Sequence, residues 1–96
     1  MSNLSEINIR PAVKRFAIGM ENVLRKHDQE KGVTGWRDID NQHLVNRLEA
    51  NQVELKAAIE LETPEQIMER CIDIANLAMM RYDNEFHELR KRKNND

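Results

Sequence analysis

The chain has 96 residues, 40% of them apolar and 33% charged, with a formal net charge of -2. This composition describes one soluble domain rather than a disordered or membrane protein, and it provides no basic footprint for duplex nucleic acid. A single cysteine, Cys71, excludes an intrachain disulfide framework and a cysteine-based metal cluster. With no signal-peptide pattern and no apolar run of about 20 residues, a cytoplasmic protein is expected.

In chain order, residues 1–9 carry only scattered Leu4, Ile7 and Ile9 and read as a loose arm, ahead of one helical domain over 10–90. Pro11 suits the first turn of a helix, and Val13, Phe16, Ala17, Met20, Val23 and Leu24 follow at spacings of three and four, predicting a first helix from Pro11 to about His27. Asp28 to Ile39 has two glycines, Gly32 and Gly35, and no period. It reads as a loop that carries the only tryptophan, Trp36, as a plug for a bundle end. Asp40 can cap a second helix, where Leu44, Val45, Leu48, Leu55, Ala58 and Ile59 trace an apolar stripe to about Leu61. The stripe is broken at Asn51, with Glu54 on its edge.

Thr63, Pro64 and Gln66 form a compact start for a third helix, with Thr63 and Gln66 as a capping box, and the pattern continues to about Leu89. Its centre, from Cys71 to Met80, is apolar on nearly every side, interrupted only by Asp73 and Asn76. Such a helix needs cover over most of its circumference, more than two further helices easily provide, so a homo-oligomer is expected. Asp73 and Asn76 are then withdrawn from water and need a cation, a hydrogen-bond network or a metal as partner. Arg90, Lys91, Arg92 and Lys93 lead into a basic, frayed tail over 91–96. The fold class expected is all-α, with three helices per protomer.

No glycine-rich phosphate loop is present, and His27, His43 and His87 lack zinc-type spacing. What remains is a constellation on two helices: Asn51 and Glu54 on the second, and Glu69 or Arg70 with Asp73 and Asn76 on the third. Carboxylates projecting inward from neighbouring helices are a way for a bundle to hold Mg²⁺ and, through it, a polyphosphate. The alternative on spacing alone is a buried network in which Arg70 neutralises Asp73.

Arg10–Ala17, Gly35-Trp36, Arg47-Leu48, Glu54-Leu55 and, most specifically, Asp73–Met80 resemble the MazG-like nucleotide pyrophosphohydrolases, especially the short phage-type dATP/dGTP diphosphohydrolases, over roughly residues 10–84. The resemblance implies an all-α oligomer whose acidic pairs bind Mg²⁺ and split nucleoside triphosphates between the α and β phosphates. It also implies nucleotide contacts at Asn51, Glu54, Arg70, Asp73, Asn76, Lys31 and Trp36. In the family's spacing the first acidic pair falls on Asn51 and Glu54 and the second on Arg70 and Asp73, so two of the four acids are replaced. The basic motif before Gly-Trp is also altered, to Gln29–Thr34.

Three readings follow. The first is a nucleotide-binding protein that needs no metal and does not hydrolyse efficiently, for example a phage sponge for an immune signalling nucleotide, in which Arg70 grips phosphate. The second is a Mg²⁺-dependent pyrophosphohydrolase using Glu54, Asp73 and Glu69. The third is a structural helical oligomer with a fossil site.

Overall fold

The computed structural model describes residues 8–31, 35–60 and 62–95; within its helices, the side chains of Lys31 and Asn95 fall outside that description. The protomer consists of α1 (Pro11–Lys31), a short 3-10 helix (Gly35–Asp38), α2 (Asn41–Ala58) and α3 (Pro64–Asn95). Among the described residues there is no strand, as the all-α expectation requires. No described helix is long and apolar enough to cross a membrane.

Local chemistry accounts for the helix starts. Pro11 opens α1, and the amide of Lys14 donates to the carbonyl of Arg10 at 3.1 Å. Asp40 caps α2, its Oδ1 accepting from the Gln42 amide at 3.2 Å. At α3 the capping box is reciprocal: Thr63 Oγ1 accepts from the Gln66 amide at 3.3 Å, and Gln66 Oε1 accepts from the Thr63 amide at 3.0 Å.

Two helices outrun their predicted ends. α1 continues a turn past His27 to Lys31, because Asp28 to Lys31 contains no glycine or proline and an established helix propagates without an apolar period. For the same reason α3 runs beyond Leu89 to Asn95, so the basic cluster Arg90–Lys93 lies on a continuous helix.

α3 is the common partner of the other elements: α2 packs along it, α1 crosses it, and the 3-10 helix docks on its second half. The crossing with α1 occurs at Gly19, where an added Cβ would lie 2.7 Å from Ile72 Cδ1, so the absence of a side chain sets how closely the helices approach. Leu44, Ala58, Leu77 and Asn76 are the buried residues. Leu77, in the part of α3 whose apolar sides led to the expectation of a homo-oligomer, is covered by the chain's own elements.

Candidate functional site

The 3-10 helix is held on α3 by side chains. Trp36 Nε1 donates to Asp83 Oδ2 at 3.1 Å, and Asn84 Nδ2 donates to the Trp36 carbonyl at 3.4 Å. Arg37 and His87 complete this cluster, 3.0 Å apart, with Arg37 Nε 3.8 Å from Asp83. Trp36, its ring nitrogen committed to Asp83, lines a cavity of about 410 Å³ between α1, α2, α3 and the 3-10 helix.

That volume lies in the range of small-ligand sites. Its walls combine apolar side chains, among them Val23, Leu44, Leu77 and Met80, with polar groups from every helix: His27 and Asp28 from α1, Arg47 and Asn51 from α2, Asp73 and Asn76 from α3. The α2 groups share a face because Leu44, Arg47 and Asn51 follow at steps of three and four; the α3 groups share one for the same reason.

Asn76 is 4% exposed, and its Nδ2 donates to the Met20 carbonyl at 3.4 Å. Its buried Oδ1 has no hydrogen-bond partner. A buried amide oxygen without a donor costs free energy, so this atom is a local defect in the packing between α1 and α3. Asn51 spends its Nδ2 on the carbonyl of Arg47 at 2.8 Å, one turn back on its own helix. The proton affinity of Asp73 is raised: partial burial contributes most, opposed by the positive field of His27 and reinforced by the negative charge of Glu69, with Arg47 and Arg70 acting weakly in the opposite direction.

Arg70 has different partners from those expected. Its Nε and one terminal nitrogen donate to the two oxygens of Glu62 at 2.8 and 2.6 Å, and the other terminal nitrogen donates to Glu54 Oε2 at 2.8 Å. The fork on Glu62 holds that carboxyl below its ordinary value and raises the guanidinium's own affinity for its proton. Arg70 therefore ties α3 to α2 and to the turn between them rather than neutralising Asp73. Neither Arg70 nor Glu54 lines the cavity.

Of the seven residues that the resemblance implies for nucleotide contact, Trp36, Asn51, Asp73 and Asn76 come together in the cavity wall, Glu54 and Arg70 pair beside it, and the Lys31 side chain lies outside the described residues. Arg47, His27 and Asp28 complete the wall without having been singled out as ligand contacts. Arg47 had a usable signal, lying between Leu44 and Asn51 on the same ridge.

The donor set does not fit a divalent cation as it stands. Glu54 is committed to a fixed positive charge, Asp73 is the one acid of the two expected pairs left to the cavity, and Glu69 lies outside its wall. Among the described residues, no three His, Cys, Asp or Glu side chains converge on a point where a metal could sit.

Compared with protein-family models, curated proteins and solved structures, the chain matches none.

Proposed function

We propose that this protein binds a nucleotide in the cavity between its three helices, without a metal and without efficient hydrolysis, and so acts by sequestering its ligand. The observation that carries this reading is an aromatic residue and a cation lining one cavity: Trp36 and Arg47. Trp36 provides a stacking surface for a base. Arg47 donates to a phosphate oxygen, a role assigned to Arg70 on sequence spacing but better filled by Arg47, since Arg70 has three of its five N–H donors engaged by carboxylates. Asp28 and Asp73 set a limit on the ligand's charge, because two acids against one arginine disfavour a bare triphosphate and favour a ligand of low net charge.

Titration calorimetry with a panel of linear and cyclic nucleotides, with and without EDTA, tests this reading. Binding should survive EDTA, and Arg47→Ala should weaken it about tenfold or more, the effect of losing one charge-assisted hydrogen bond. Arg70→Ala should change affinity less than Arg47→Ala does. Mg²⁺-dependent release of pyrophosphate from a dNTP at ordinary enzyme rates, above about 1 per second, would overturn the reading in favour of the hydrolase. Absence of any nucleotide binding would leave a structural oligomer.

A further inference from the structure

The side of α3 turned away from the cavity carries a second pattern. Met68, Ile72, Ala75, Met79, Tyr82, Phe86 and Leu89 follow one another at alternating steps of four and three, the heptad spacing of a two-helix seam. At about 100° per residue, Tyr82 lies half a turn around the helix from Asp73, so this seam is the back of the cavity wall. It is largely bare: Met68, Tyr82, Phe86 and Leu89 are all exposed, and Ile72 is partly covered where α1 crosses at Gly19. Tyr82, Glu85, Phe86 and Leu89, at the i, i+3, i+4, i+7 positions of one helix, line a shallow hollow together with Glu88 and Arg92, and no other described element contributes to it. Four residues so placed are the hole that a knob from a facing helix fills.

We infer that this seam pairs antiparallel with α3 of a second copy of the chain, about a two-fold axis near Met79. The charges flanking the seam select both the occupant and its direction. The start of α3 carries Glu65 and Glu69, and its end carries Arg90, Lys91, Arg92 and Lys93. Parallel pairing in register would stack the two basic ends on each other. Antiparallel pairing sets the acidic start of each helix beside the basic end of the other, with Glu69 against the partner's Arg90 in the flanking row on both sides of the axis.

The same register matches sizes. Ala75 faces the partner's Tyr82, Ile72 the partner's Phe86 and Met68 the partner's Leu89, so the largest exposed ring meets the smallest seam residue. From Met68 to Leu89 the seam runs about 32 Å, three heptads, and it leaves both cavities open on the outer sides of the pair. The pairing is therefore independent of what the cavity binds.

Sedimentation of the full chain at micromolar concentration tests the pairing, with circular dichroism to follow helicity. The wild type should sediment as an assembly with a dimeric unit. Phe86→Glu should weaken association at least about 30-fold with helicity unchanged, since Phe86 is exposed on the chain alone. Should that variant lose helicity, the charge pair decides: Glu69→Arg should weaken association, and adding Arg90→Glu should restore it. In a Cys71→Ala background, Met68→Cys with Leu89→Cys should cross-link two chains on oxidation, whereas Leu89→Cys alone should not. A wild type that sediments as a monomer, a Phe86→Glu protein that remains fully associated, or efficient cross-linking by Leu89→Cys alone would each overturn the inference.

Discussion

The two faces of α3 invert the usual arrangement of a helix in a small protein. On the inner face Asn76 is 4% exposed, with an amide oxygen that no described protein group satisfies, whereas Asp73, expected to be withdrawn from water with it, is exposed at the cavity mouth because α1 and α2 leave that side of α3 open. On the outer face Tyr82 is 74% exposed and Phe86 and Leu89 are uncovered. A protomer complete in itself would bury the aromatic rings and expose the amide. The two faces therefore differ in what they leave uncovered, a cavity wall of mixed polar and apolar groups on one side and an apolar row on the other. Helix periodicity alone cannot distinguish them, since both rows are regular.

The sharpest way to break the comparison is to truncate one leucine on each face. Leu77→Ala on the inner face should cost about 2–5 kcal/mol of unfolding free energy, because Leu77 is 6% exposed and its truncation removes core contacts and widens the cavity it borders. Leu89→Ala should cost the dilute protomer less than about 0.5 kcal/mol. Urea unfolding of both variants at low protein concentration checks the contrast.

Arg70, at the edge between inner face and α2, gives the next largest effect. Its fork depresses the Glu62 carboxyl, so the stability it supplies is fully present above the ordinary glutamate range and is lost as pH falls through the lowered Glu62 value. Arg70→Ala should therefore lower Tm at neutral pH, and the gap between variant and wild type should close in acid. A gap that stays constant from neutral to strongly acidic pH would show that the pair contributes nothing.

Asp73 shifts in the opposite sense. Because its proton affinity is raised in the fold, the ionised carboxylate is a cost at neutral pH that disappears as pH falls through the raised value and then through the ordinary aspartate range. Asp73→Asn should raise Tm at neutral pH by less than about 4 °C, and thermal melts should show that gain fading in acid. The smallest effect belongs to the border with α1. Gly19→Ala gains about 1 kcal/mol of helix propensity and returns much of it in displacing Ile72 Cδ1, for a net change within about 1 kcal/mol in urea unfolding.

Much of the local architecture was legible in the chain. Pro11, Asp40 and the Thr63–Gln66 box mark helix starts because capping involves groups only a few residues apart, and the rows Leu44–Asn51 and Asp73–Met80 are set by helical repeat alone. The helix ends were misplaced where polar residues without glycine or proline simply prolong a helix.

What the sequence by itself determined is therefore the three helices and the residues that share each face. Only the tertiary structure decided that Arg70 bonds Glu62 and Glu54 rather than Asp73, that Arg47 and His27 reach the cavity, and that Leu77 is covered while Tyr82 is not. The physical reason is range. Caps and faces depend on neighbours one or two turns away, whereas an ion-pair partner and the covered side of a helix depend on the path of the α2–α3 turn and the angle at which α1 crosses α3 over Gly19, which no spacing within one helix encodes.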